Sequence, residues 1–172
     1  NLINIIQVAR FMSVKNHAFV LDIATALKEK QANFVIHLVG DGQLRTQIEE
    51  QVKKRKLTDH IKFWGLRTDV VELMANVDIM ILPSLHEGFP VVLVESQAAG
   101  LPTLVSDMVA KEVDLGLGLV EFLSIDNAEI WADKILNFTK MHLSDEQIFN
   151  LLSQQGFDIY QNAMALQQIY ES

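Results

Sequence analysis

The amino-acid sequence predicts an α/β domain built on a doubly wound parallel sheet of about six strands, with helices on both faces. Three observations predict it. Short apolar runs alternate with segments of helical periodicity along the chain. Those runs are solidly apolar rather than alternating, as in strands buried on both faces of a parallel sheet. The residues that interrupt the apolar pattern follow the ends of those runs: Arg10, the Gly40-Asp41-Gly42 triplet, residues 65–67, residues 84–90 and Ser106. That rim is where open α/β sheets bind ligands.

Residues 2–8 read as the first strand. A helix is expected over 16–30, with Asn16 as its N-cap and Phe19, Ile23 and Leu27 as its apolar stripe, widened by Val20 and Ala24. The second strand covers 34–39, and a second helix over 43–56 repeats Leu44, Ile48 and Val52 at four-residue spacing. A third strand spans 60–64 and stops at Gly65; Asp69 is placed to cap a short helix holding Val70, Leu73 and Met74. The fourth strand is 77–82. After it comes the stretch S-L-H-E-G-F-P-V-V-L-V-E-S-Q-A-A-G, from Ser84 to Gly100. Its β-branched run 91–94 alone suits a strand, but Pro90 can open a helix and Gly100 with Pro102 can close one. That helix is apolar nearly all round, which implies burial, yet Glu95 sits in its middle and Glu87 just before it. A fifth strand at 103–105 and a sixth at 119–123 follow. Helices are expected over 127–140, with Trp131, Ile135 and Phe138 inward, over 144–154, where Ser144 and Gln147 have capping-box spacing, and over 157–170.

At 172 residues, with 49% hydrophobic and 21% charged side chains, the chain suits one globular domain with a full core. It has no cysteine, which excludes disulfides, thiolate metal sites and thiol catalysis. No apolar run approaches the roughly 18–20 residues of a membrane span, and nothing in the opening residues reads as a signal peptide. A cytoplasmic protein is the expectation. Entry into a strand directly after Asn1 reads as a segment of a longer chain. A net charge of −8 argues against broad nucleic-acid binding, so any anion site must rest on local cations.

Arg10 and Lys15 flank the first strand-to-helix turn. Two cations beside a helix N-terminus suit a diphosphate; the alternative is two solvated surface charges. Gly40, Asp41 and Gly42 either let backbone N–H groups approach a ligand or form a tight turn. Glu87 and Glu95 have two readings as well. A buried carboxylate without a partner is costly, so ligand hydroxyls would use both. Otherwise Glu87 stabilises the helix N-terminus and Glu95 pairs with Arg10 or Lys15. Gly88 and Phe89 precede that helix, whose free first-turn N–H groups suit a phosphate or sugar oxygen. Lys53-Lys54-Arg55-Lys56 suits a helix C-terminus, with an anionic membrane surface as the alternative. The five histidines show no metal-ligand spacing, and Ser84 and Ser106 lack a nucleophile elbow.

Glu87 and Glu95, with seven residues between them and Gly88-Phe89-Pro90 after the first, resemble the signature of glycosyltransferase family 4, the group 1 glycosyltransferases of GT-B fold. The similarity continues through V-A-R-F from Val8, K-N-H from Lys15, V-G-D-G-Q-L from Val39 and F-W-G-L-R-T-D-V from Phe63. It runs on through D-I-M-I-L-P-S-L from Asp78 and A-A-G-L-P-T-L-V-S-D ending at Asp107. The pattern is similar to bacterial enzymes of capsular or exopolysaccharide assembly. Two residues depart from it: Ala9 where Gly is common, and Ser96 where Ala is usual.

The resemblance implies a C-terminal, donor-binding domain, with an N-terminal acceptor domain elsewhere and the active site between the two. It implies a nucleotide-diphosphate-sugar donor, UDP- or GDP-linked, a saccharide or lipid-linked acceptor, retention of configuration, and no metal or cofactor. It implies that Arg10 and Lys15 hold the diphosphate, Glu87 the sugar hydroxyls and Glu95 the ribose. Gly40, Asp41, Gly42, Gly88, Phe89, Pro90 and Val91 would shape the donor site, and Leu66 and Arg67 would contact the base. Neither Glu need be a covalent nucleophile. The helix at 157–170 would cross back to the other domain. Peripheral contact with the inner face of the membrane is the alternative that the basic run at 53–56 leaves open. The competing reading is a non-catalytic nucleotide-sugar-binding or interaction domain. A phosphorylase of the same fold needs a pyridoxal-phosphate lysine, for which no candidate stands out, and a receiver domain needs an early cluster of Asp residues that the strand ends lack.

Overall fold

A computed structural model describes residues 1–139, 143–154 and 156. The strands are β1 (Ile3–Val8), β2 (Phe34–Val39), β3 (Ile61–Gly65), β4 (Ile79–Leu82), β5 (Thr103–Ser106) and β6 (Val120–Leu123). The helices are α1 (His17–Glu29), α2 (Arg45–Lys54), α3 (Val70–Ala75), α4 (Val91–Ala98), α5 (Ala128–Asn137) and α6 (Asp145–Gln154). Single 3-10 turns lie at Ser13–Lys15 and Lys111–Val113. The helix expected over 157–170 lies outside the described residues.

All six strands form one parallel sheet in the order β3-β2-β1-β4-β5-β6. The chain winds outward from β1 to β3, then crosses back over β1 to β4 and winds the other way. The order therefore reverses between β1 and β4, which opens a crevice at their carboxyl ends.

Alternation of side chains across the pleat divides the core into two layers. Ile5, Ile36, Leu38, Ile79, Ile81 and Leu104 meet α1, α2 and α5 on one face. Ile6, Met80, Leu82 and Val105 meet Met74 of α3 and Leu93 of α4 on the other. Phe19, Ile23 and Leu27 are buried as their spacing predicts, and Trp131 is fully buried with its indole N–H donating to the Ser124 carbonyl at 2.8 Å. The expectation of solidly buried strands holds for β4 and β5 but not at the sheet edges. Lys62 and Trp64 of β3 and Glu121 of β6 are exposed, because an edge strand lacks a neighbour on one side.

The capping box at α6 is complete: the Ser144 N–H donates to Gln147 Oε1 at 2.9 Å, and the Gln147 N–H to Ser144 Oγ at 3.2 Å. Two other expected caps are corrected. Asn16 and Asp69 occupy the N-cap positions of α1 and α3, but neither side chain bonds a helix N–H. Each side chain is engaged in a rim loop instead. The helix after β4 is a helix as predicted, but it is less buried than its apolar sequence implies. Only Leu93, Ser96 and Gln97 are buried, while Val91 is 63% exposed. The buried face is partly polar, and Gln97 holds the 113–115 loop by donating to the Val113 carbonyl and accepting from the Leu115 N–H, both at 2.9 Å.

Candidate functional site

The β1–β4 crevice is bounded by the turn after β1 and the loop after β4. The Leu85 N–H donates to the Val14 carbonyl at 2.8 Å, and Asn16 Nδ2 donates to the Pro83 carbonyl at 3.1 Å. Asn16 adopts the left-handed conformation (φ 54°, ψ 44°), one that Asn tolerates better than most residues. These bonds bring the Lys15 ammonium onto Glu87 Oε1 as an ion pair, and Ser84 Oγ donates to the same oxygen at 2.9 Å. The two charged side chains retain 20% and 13% exposure. Such a pair gains Coulomb energy but loses hydration, so its net contribution to stability is small. It is placed where an entering anion can compete for Lys15. The alternative of Glu95 pairing with Arg10 or Lys15 is not what the fold builds: Glu87 takes Lys15.

Arg10 is exposed and has no ion pair among the described residues. It lines a cavity of about 250 Å³ together with Gly40, Leu66 and Arg67, over Val8 and Val39. Four residues singled out from three separate loops thus share one cavity. Arg67 is held at its edge. Its Nε donates to Asp69 at 2.8 Å, and the guanidinium lies 5.5 Å from the Trp64 ring centroid. That bond raises the pKa of Arg67 and lowers that of Asp69. It is also the reason Asp69 does not cap α3.

The glycine triplet serves the frame of the rim. A Cβ on Gly40 would lie 2.1 Å from the Ala9 carbonyl oxygen, and one on Gly42 would lie 2.7 Å from that of Phe11. The Gly40 N–H donates to the Gly65 carbonyl at 2.8 Å, and the Gly42 N–H to the Asp41 carboxylate at 2.8 Å. Close packing against the backbone of Ala9 and Phe11 requires both glycines, a steric reason that neither ligand approach nor a tight turn anticipates.

Past Glu87, the backbone pairs with Val109 in an isolated bridge, and the chain turns through exposed Gly88 and Phe89 and buried Pro90 into α4. Pro90 at the N-cap supplies no side-chain cap, so the N–H groups of Val91 and Val92 have no intrahelical acceptor and no other acceptor among the described residues. Glu95, one turn further on, is half-buried and has no partner among the described residues.

His17, buried at 3% exposure, stacks on Phe11 with centroids 4.1 Å apart. Burial, helped by the nearby Lys15 charge, lowers its pKa from 6.5 to about 4. It stays neutral at physiological pH. Among the described residues no three His, Asp or Glu side chains converge to hold a metal ion. A larger cavity, about 320 Å³, lies between Pro102, Thr103, Gly118 and Leu119 near the amino ends of β5 and β6, at the opposite rim from the loops just described.

Sequence reasoning missed three contributors. Ser84, placed on the rim but without a nucleophile elbow, is a hydrogen-bond donor to Glu87. Gln7 is fully buried in β1 and donates from Nε2 to the Lys15 carbonyl at 2.9 Å. The side chain of Asn16 reaches across the crevice rather than into its own helix. The signal for Gln7 was present: an amide inside a strand with Ile and Val neighbours.

Residues 2–141 match the family described as glycosyl transferases group 1. EpsF of Bacillus subtilis (strain 168) is 44% identical over 166 residues, covering 95% of this chain and 43% of EpsF. The UDP-Gal:alpha-D-GlcNAc-diphosphoundecaprenol alpha-1,3-galactosyltransferase of Escherichia coli is 28% identical over 95% of this chain and 44% of its own. The chain therefore spans less than half the length of these relatives. The crystal structure of Anabaena HepE with UDP and glucose superposes with a TM-score of 0.77 at 21% identity, covering 100% of this chain and 49% of HepE. Its fold is thus the Rossmann-like half of a GT-B architecture, and the chain belongs to the group 1 glycosyltransferases.

Proposed function

We propose that this chain is the donor-binding domain of a retaining glycosyltransferase. The enzyme moves a sugar from a nucleoside diphosphate to a saccharide or lipid-linked acceptor in surface polysaccharide assembly. The observation that carries the reading is the Lys15–Glu87 ion pair in the β1–β4 crevice, on the same rim as the Arg10 cavity. Arg10 and Lys15 hold the diphosphate. As the bond from the anomeric carbon to the phosphate oxygen breaks, negative charge grows on the leaving group, and both cations stabilise it without a metal. Lys15 moves from Glu87 to phosphate, which leaves Glu87 oxygens to accept from sugar hydroxyls. Gly88, Phe89, Pro90 and Val91 shape the sugar site, and the first-turn N–H groups of α4 offer donors to its oxygens. Glu95, half-buried with no competing partner among the described residues, accepts from the ribose. The base enters the cavity beside Leu66 and Arg67, with Gly40 in its wall and Asp41 and Gly42 continuing the same loop. The acceptor oxygen bonds to the anomeric carbon on the face that the phosphate leaves, and its proton passes to the departing phosphate.

The names of the galactosyltransferase and of the HepE complex, which carry UDP-Gal and UDP, support a uridine donor. Calorimetric titration with UDP, GDP, CDP and ADP, with and without EDTA, tests this reading. One nucleotide is expected to bind with equal affinity in both buffers, and Lys15→Ala to weaken it. The chain alone is expected to show little or no transfer from the matching nucleotide sugar. Binding of none of the four, or binding abolished by EDTA, contradicts the reading. Binding in the complete enzyme with transfer to no acceptor favours a non-catalytic nucleotide-sugar sensor instead.

A further inference from the structure

Lys15 is only as well placed as the turn that carries it. That turn, Ser13–Lys15, is a single 3-10 turn with no buried residue of its own. Something outside it must fix its position. Among the described residues, besides the Glu87 carboxylate on the Lys15 ammonium, two side chains hold its backbone or its flank. Gln7, at 0% exposure on β1, donates from Nε2 to the Lys15 carbonyl at 2.9 Å. Asn16, immediately after Lys15, donates from Nδ2 to the Pro83 carbonyl at 3.1 Å. One ties the turn down to the sheet, and the other ties it sideways to the loop that carries Glu87.

Both arrangements forgo stability that the same residues could have supplied. The Lys15 carbonyl can only accept, so the Gln7 amide must turn its NH₂ towards it. Gln7 Oε1 is then left buried with no donor among the described residues. A buried acceptor without a partner is destabilising, whereas an apolar side chain of the same size at this position would not be. Asn16 stands at the N-cap of α1 and leaves that helix without a side-chain cap. It also takes a left-handed backbone conformation. Local rules broken together, around one charged side chain, are the mark of a site selected for position rather than for stability.

We propose that Gln7 and Asn16 are positioning residues, forming a brace across the β1–β4 crevice that holds Lys15 where it meets the diphosphate of a nucleotide ligand. This rests on the donor-site reading above and extends it to residues that touch no ligand. The brace acts through Lys15, so its loss matters only while Lys15 is present.

The test uses the chain with Gln7→Met, which keeps the size and removes the amide. Asn16→Gly, which keeps the left-handed backbone accessible and removes the side chain, is the second variant. Each is made alone and combined with Lys15→Ala. Thermal melts first establish folding, with Gln7→Met expected to melt no lower than the parent. Calorimetry with UDP and GDP then reads affinity. Each single brace variant is expected to weaken diphosphate binding about five-fold, the scale of one lost net hydrogen bond. In the Lys15→Ala background the same substitutions are expected to change affinity less than two-fold, because the group they position is gone. Hydrogen exchange gives a readout without ligand, with the Leu85 amide, bonded to Val14, expected to exchange faster in both variants. Equal loss of affinity with and without Lys15, or unchanged affinity and exchange in folded variants, overturns the brace while leaving the donor site standing. A parent chain that binds neither diphosphate overturns the donor-site reading itself, and the inference with it.

Discussion

Two seams run from the end of β1, and they are sewn differently. Towards β2 the loops are joined by backbone. The Phe11 N–H donates to the Asp41 carbonyl at 3.0 Å, the Leu44 N–H to the Phe11 carbonyl at 3.0 Å, and Gly40 and Gly42 press against Ala9 and Phe11. Towards β4 the loops are joined mostly by side chains: Lys15 to Glu87, Ser84 to Glu87, and Asn16 to the Pro83 carbonyl. Backbone bonds held under close glycine packing form a fixed frame. Side-chain bonds between charged and polar groups can be exchanged for bonds to a ligand of matching charge. On the donor-site reading proposed above, the first seam is the wall of the site and the second its working face.

Substitutions should separate the two. The largest effect is expected from Gly40→Ala, which places a Cβ 2.1 Å from a carbonyl oxygen at φ 135°. Backbone on both sides leaves no easy relaxation, so a loss of about 3 kcal/mol or more is expected in urea unfolding. A loss under about 1 kcal/mol would show that this wall is pliable.

The next effect, in pH, also belongs to the first seam, through His17 stacked on Phe11. The folded chain keeps this ring neutral down to about pH 4, whereas the unfolded chain protonates it near 6.5. Between those values the unfolded state holds the extra proton. Stability is therefore full above pH 6.5, falls through the window, and changes no further from this group below about pH 4. The drop is on the order of 3 kcal/mol. Urea melts of the parent and of His17→Leu at pH 7 and 4.5 check it: the difference between the two pH values should shrink in the variant.

On the second seam, affinity is expected to respond more than stability. Lys15→Ala should weaken nucleoside-diphosphate binding by roughly 10- to 100-fold, the range of a charge-assisted contact, while the melting temperature falls only modestly, because Glu87 keeps the Ser84 hydroxyl and some contact with water. Smallest is Ser84→Ala, expected to cost about 1 kcal/mol of stability or less, since Lys15 still partners Glu87. A large stability loss from Lys15→Ala would place the second seam in the frame as well.

Much of this was legible in the sequence because it depends on local pattern. Apolar runs, the helical stripe of Phe19, Ile23 and Leu27, the Ser144–Gln147 box and the Pro90 start each follow from residues close in the chain. The rim residues were found because strand ends and loop charges are local too. What was not legible depends on distance. Asn16 and Asp69 look like caps to a reader of neighbours, but Pro83 and Arg67 compete for their side chains and win. Which carboxylate pairs with Lys15 depends on the path of the loop after β4, where the Leu85–Val14 bond and the Ser84 hydroxyl set Glu87 against the turn after β1. The burial of the helix after β4 was overread because Val91 and Val92 stand at the rim, where apolar residues meet solvent or a ligand rather than the core.

The central claim is that the carboxyl-end rim around the β1–β4 crevice binds the nucleotide. Backbone amide resonances followed during titration with UDP and with GDP test it most directly. The account predicts saturable shifts confined to residues 10–16, 40–42, 65–67 and 84–95 with one of the two nucleotides. Shifts centred on the opposite rim, at 102–104 and 118–120 around the larger cavity, would contradict it.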